Sequence, residues 1–133
     1  MKFLGILFFI LTPILVSAQS YDTFKWKKRV VVLAGDEDWV KKNYAQFDDQ
    51  LGVQERNLVF LWDNGESIIS LAPSEKTLAW SRPTFIRAPY QFYLIGLDGG
   101  LKEKRKKSMS QQELFALIDS MPMRLNEMKK GNE

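Results

Sequence analysis

The chain contains no cysteine and no histidine among its 133 residues. The first absence excludes thiol nucleophiles, CxxC redox chemistry and any disulfide staple. The second excludes Ser-His-Asp triads and His-ligated zinc or iron. Any acid–base group must therefore be Asp, Glu, Lys or Tyr. A strong charge of one sign is missing too. Nineteen Lys and Arg face 16 Asp and Glu, a formal charge of +3. That balance gives no global argument for a nucleic-acid partner. There is no internal repeat, no low-complexity tract and no cofactor signature.

What is present begins with a leader-like segment. Met1-Lys2 is a short positive start, and Phe3 to Val16 is an apolar run of 14 residues. That run is short for a membrane span, which takes about 20 residues. Val16-Ser17-Ala18 places small or modest side chains where a signal peptidase reads. Cleavage is expected after Ala18, giving a signal peptide over 1–18, a mature chain from Gln19, and a secreted or periplasmic protein with no stable membrane span. No Cys follows the apolar run to carry a lipid.

Residues 19–133 read as one domain. Residues 19–28 are a polar lead-in whose aromatics either pair as an edge strand or tuck under the domain. Arg29 to Ala34 is a β-branched run without alternation, as expected of a strand buried on both faces. Asp36-Glu37-Asp38 then opens a helix. Val40, Tyr44, Phe47 and Leu51 share one helical face, and Gly52 marks its end. Asn57 to Trp62 is a second buried strand, completing a parallel βαβ unit. Asp63-Asn64-Gly65 signals a tight turn, with residues 67–71 either returning as a strand or continuing as loop. A short helix from Ser74 to Trp80 is expected in the crossover. Phe92 to Leu97 is a third apolar strand, followed by an Asp98-Gly99-Gly100 turn and a basic strand over 101–107. Lys on that strand suits a sheet edge. Ser110 and Glu113 form a capping-box pattern. Pro122 is expected to start a second helical segment.

The order β-α-β-α-β-β-α predicts an α/β protein of thioredoxin-like fold, a mixed sheet flanked by helices. The residues LIGLDGG-x-K-x-K and LFALIDSMPMR-x-x-EM carry a family resemblance over 92–128, with Asp119, Met121, Pro122, Met123, Arg124, Glu127 and Met128 in the second motif. They resemble an uncharacterised bacterial secreted domain family. That family is related to the peroxiredoxin-like domains of sushi-repeat-containing and other extracellular matrix proteins. The resemblance implies a thioredoxin-like fold and no established reaction. In redox-active thioredoxins the attacking Cys follows the first core strand. Here that place is Gly35-Asp36-Glu37-Asp38-Trp39, so thiol–disulfide and thiol-peroxidase chemistry is excluded.

Each candidate site has a functional and a structural reading. Asp36, Glu37 and Asp38 could do acid–base work or hold a hard cation, or could simply cap a helix. Asp119 and Arg124 could face a ligand, or could bridge the break around Met-Pro-Met. Lys102, Lys104 and Lys106 alternate with Arg105 and Lys107 and could bind a polyanion, or could be a solvated edge. No aromatic residue lies within the run, which speaks against nucleic acid. Met121, Met123 and Met128 read as packing residues rather than a metal site. Trp62 reads as buried, while Trp39 and Trp80 either line a groove or pack inside. Two functions follow. One is an exported, thiol-free, non-redox binding or envelope-associated module, with an unknown protein or an anionic glycan as partner. The other is an enzyme with Asp36, Glu37 or Asp38 as acid–base group and Arg87 or Arg124 for an anionic substrate.

Overall fold

The computed structural model describes residues 24–71 and 82–131. Strands β1 (Arg29–Ala34), β2 (Leu58–Asp63), β3 (Ile68–Ser70), β4 (Phe92–Ile95) and β5 (Leu101–Arg105) form one sheet in the order β3-β2-β1-β4-β5. β1 is central, parallel to β2 and antiparallel to β4. The three apolar runs thus share one sheet, and the basic strand lies at its edge. The arrangement is a mixed α/β sheet with helices, compatible with a thioredoxin-like fold. The hairpin alternative after Asn64-Gly65 is realised, with Trp62 opposite Ile69.

Alternation along β1 sorts the core. Val31 and Leu33 face one side with Phe60, Phe92, Leu94, Leu114 and Ile118. Val30 and Val32 face the other with Val59, Leu61, Tyr93 and Ile95. Because both sides are covered, β1 needs apolar residues from Val30 onward, which is why its sequence does not alternate. The helices α1 (Glu37–Tyr44), α2 (Gln50–Glu55) and α3 (Gln111–Asp119) supply the first side. Phe24, Ile86, Phe85 and Tyr90 cover the second. So the lead-in does tuck a ring under the sheet, that of Phe24. The expected helix over 74–80 and Tyr21 lie outside the described residues.

The single helix expected from Asp38 to Gly52 is two helices. α1 stops at Tyr44, and Asp49 starts α2 by accepting the Gly52 N–H at 2.9 Å. The break rotates the chain. Phe47 still enters the core, but Leu51 points outward at 73% exposure. Gly52 does not end a helix; it lies inside α2, buried against Phe115. A Cβ built there would sit 2.6 Å from the Phe115 ring and 2.5 Å from Asp49 Oδ2, so only glycine fits without movement.

α4 (Pro122–Gly131) begins at the expected proline. Ser110 caps α3 through the Glu113 N–H, but the Glu113 carboxylate turns to Arg105 at 2.9 Å, so only half of the box forms. In the β4–β5 turn, Gly99 alone has a positive φ, of 79°, and Gly100 N–H is held by Asp98 Oδ1. A bulge between Leu94 and Ile95 interrupts the β4–β5 register. It also interrupts the expected alternation of lysines on β5. Lys104 lies over the Tyr90 ring beside the Tyr93 face, 4.6 Å from the centroid. Lys102 instead lies beside Met121 and Pro122, on the helix side. Inserting one residue on one strand shifts all later side chains to the opposite face.

Candidate functional site

The C-terminal ends of parallel strands, where α/β sheets tend to place ligands, carry a cleft of about 520 Å³. Ala34 and Gly35 from the end of β1, and Asp63 to Gly65 from the end of β2, form one wall. The segment 82–91 forms the other, through Arg82, Ile86, Arg87 and Tyr90. The Ala88–Pro89 bond in this segment is cis.

Two contacts fix the wall. Asp63 is 6% exposed on the Tyr93 side of the sheet, and Arg82 grips it through Nε and Nη2. Asp63 Oδ1 also accepts the Gly65 N–H at 2.9 Å. The Tyr93 hydroxyl lies 2.8 Å from Arg87 O and 3.0 Å from Tyr90 O, and accepts the Arg87 N–H at 2.9 Å. One buried phenol therefore ties down the loop that carries Arg87. Burial pushes this phenol above its ordinary range, keeping it a neutral hydrogen-bonding group.

Arg87 is exposed and donates Nε to Thr84 O at 3.1 Å. Its terminal nitrogens have no partner among the described residues. Lys104, over the Tyr90 ring, adds a cation at the margin. Among the described residues Asp63 is the one carboxylate lining the cleft, and it is already paired. The described lining therefore carries a net positive charge.

The carboxylates suggested by the sequence do not join this cleft. Asp36 is the N-cap of α1, accepting the Trp39 N–H at 2.9 Å. Glu37 pairs with Lys41 at 2.6 Å across one exposed turn. Asp38 is exposed in the same first turn. Of the enzyme set, Arg87 lines the cleft while Asp36, Glu37 and Asp38 do not. Among the described residues, no three Asp or Glu side chains are placed to hold a metal ion. Trp62 Nε1 donates to Gly35 O, and Trp39 packs under Gly35. Trp80 lies outside the described residues.

Asp119 and Arg124 meet at 3.1 Å across the α3–α4 junction, at the far pole of the sheet. They belong to a larger cluster. Arg56 grips Asp119 at 2.7 Å, Arg124 also reaches Glu127 and the Glu55 carbonyl, and Glu127 holds the buried Arg29 at 3.2 Å. Burial alone would push the Asp119 carboxyl up. The hydrogen bonds and charges of Arg56 and Arg124 outweigh it and hold the group below the usual carboxylate range. Lys102 pairs with Asp98 at 2.9 Å, and that contact, with the Gly100 N–H, lowers Asp98. Lys106 is exposed just past β5. Lys102, Lys104 and Lys106 thus do not make one basic face.

Sequence reading missed the Asp63–Arg82 pair, the Tyr93 tie and the roles of Arg29 and Arg56. The available signal was a charged residue closing each buried strand: Arg29 opens β1 and Asp63 ends β2. Among the described residues no helix is long and apolar enough to cross a membrane. No curated protein and no solved structure matches the chain. Residues 20–127 match the family described as Domain of unknown function (DUF4174), and the chain belongs to that family.

Proposed function

We propose that this protein is an exported, thiol-free binding module whose cleft at the C-terminal ends of β1 and β2 receives acidic groups of a partner. The supporting observation is the Arg87 guanidinium. It stands at the cleft with terminal nitrogens that have no partner among the described residues, while the neighbouring Asp63 is already neutralised by Arg82. A planar guanidinium of this kind suits bidentate recognition of carboxylate or sulfate. The carboxylates that an acid–base mechanism would draw on are spent on capping and on a surface pair. The partner class we favour is an anionic glycan, with an acidic protein segment as competitor. The resemblance to peroxiredoxin-like matrix domains and the leader-like pattern of residues 1–18 support an envelope or matrix setting, periplasmic or secreted.

Binding is tested on an immobilised sulfated glycan. The wild type is expected to be retained until moderate salt, and Arg87→Ala to elute earlier with an unchanged unfolding midpoint. Elution of the wild type at low salt, or equal retention of the variant, sinks the reading. Preferential capture by an acidic peptide would move the partner class to protein. Export is tested by sequencing the N-terminus of the protein recovered outside the cytoplasm. Gln19 is the expected first residue, and a retained Met1 contradicts it.

A further inference from the structure

We propose that a second, smaller pocket at the opposite pole of the sheet binds a short aliphatic carboxylate. It measures about 170 Å³ and lies between the β4–β5 turn and the α3–α4 junction. Leu97, Met121, Pro122 and Met123 make it apolar, and Arg29 and the Asp98–Lys102 pair complete it.

Three observations point to an anion. The first is Arg29 itself, which is 1% exposed. A guanidinium has five N–H donors. Arg29 directs Nη1 to the Arg56 carbonyl and to Glu127 Oε2, and Nη2 to Glu127 Oε1. The remaining Nη2 hydrogen and the Nε–H have no acceptor among the described residues. Buried donors of a charged group without acceptors are costly and call for a partner.

The second is charge. Among the described residues, Arg29, Arg56 and Arg124 are joined to only two carboxylates, Asp119 and Glu127. Lys102 and Asp98 cancel each other at the rim. One positive charge is left over beside the pocket. The third is α4, whose first residues, Pro122 and Met123, line the pocket. Pro122 has no N–H and the Leu125 N–H bonds to Met121 O at 3.0 Å, which leaves the Met123 and Arg124 N–H groups without a backbone acceptor among the described residues, and the first turn holds no acidic side chain.

The apolar walls decide the rest of the ligand. A bare inorganic anion would leave Leu97 and the two methionines against water. A short hydrocarbon tail on a carboxylate covers them and adds the hydrophobic contribution. The ligand is thus a small amphiphilic monoanion, with its head toward Arg29 and its tail between Met121 and Met123.

Butyrate, 1-butanol and chloride at matched ionic strength are titrated into the full mature chain, followed by calorimetry and amide chemical shifts. Butyrate is expected to bind at least about tenfold tighter than 1-butanol. Its shifts should centre on Gly96, Leu97 and Met123. Equal affinity for 1-butanol, or shifts confined to the Arg82–Arg87 cleft, overturns the proposal. Arg29→Met also strips Glu127 of one of its two arginine partners and endangers the fold, so Met123→Trp serves as the second variant. Position 123 is 40% exposed, so a larger ring can fill the pocket with the unfolding midpoint retained. Butyrate binding should then fall at least about tenfold. Undiminished binding to a folded Met123→Trp protein overturns the site, and leaves the cleft at the other pole unaffected.

Discussion

Arg82 reaches the carboxylate of Asp63 from 19 residues along the chain, with Nε on one oxygen at 2.9 Å and Nη2 on the other at 2.5 Å. The two ends differ in environment. Asp63 is buried at the end of β2, while Arg82 is partly exposed at 39%. Arg82→Met should therefore leave a buried carboxylate without its cation. Loss of one partner of a buried pair costs about 3–5 kcal/mol. The solvent access of Arg82 reduces the expectation to about 2–4 kcal/mol. Urea unfolding measures it. The double variant Asp63→Asn with Arg82→Met should recover part of the loss, because no uncompensated charge remains. A single variant as stable as the wild type would show that the pair contributes nothing.

Asp119 makes stability depend on acid pH. Its folded carboxyl is held below the ordinary value by Arg56 and Arg124 against the opposing effect of burial. The unfolded carboxyl titrates near about 4. A group depressed on folding stabilises fully above that value, and the contribution is lost as pH falls through the folded one. Asp119→Asn should cost about 1–3 kcal/mol at pH 7, from weakened charged hydrogen bonds. The gap between variant and wild type should narrow below about pH 4. A gap independent of pH would place the effect elsewhere.

The split between α1 and α2 is tested by two positions on what would have been one helical face. Phe47 is 2% exposed and Leu51 is 73% exposed. Phe47→Ala should destabilise by about 3–5 kcal/mol, and Leu51→Lys by no more than about 0.5 kcal/mol. Comparable losses at both would favour the continuous helix.

Gly52→Ala probes the same region from inside α2. Helix propensity alone would favour alanine by about 1 kcal/mol. The new methyl meets Phe115 and the capping Asp49 instead. Overpacking of this kind costs about 1–3 kcal/mol, so the expected sign is a net loss in thermal or urea unfolding. A stabilised variant would mean that the Phe115 ring yields readily.

Tyr93→Phe removes the hydroxyl that joins Arg87 and Tyr90 backbone groups. The expected cost is about 1–2 kcal/mol, from one lost hydrogen bond and an orphaned N–H. Amide exchange should quicken over 87–90 while β1 stays protected. Unchanged exchange there would show that the loop is held by other contacts.

The sheet was readable where burial on both faces forced an unbroken apolar run, as in Val30 to Leu33 and Leu58 to Leu61. Pro122 and Ser110 were readable because each acts through its own backbone neighbourhood. The failures share a different cause. The 3.6-residue spacing of Val40, Tyr44, Phe47 and Leu51 continues across Asp48-Asp49, and nothing local says that Asp49 caps a new helix. The lysine alternation on β5 fails at a bulge set by the partner strand. Asp119 and Arg124 are five residues apart and were read as a possible pair. Arg56, 63 residues from Asp119, was not. The cleft depends on Asp63 meeting Arg82 and on Tyr93 meeting Arg87, and such meetings are products of the fold.

The bond between Arg29 and Glu127 spans 98 positions. Arg29 opens β1, yet its countercharge arrives on α4. A chain emerging from the ribosome can form β1, β2 and the connecting helices long before residue 127 exists. During that interval the central strand would have to bury a guanidinium without its carboxylate, a costly state. The domain therefore has a built-in delay: its native core closes only once residue 127 has been made. A truncation just before Glu127 should accumulate as an open, protease-sensitive species, while a full-length chain passes through that state only during synthesis.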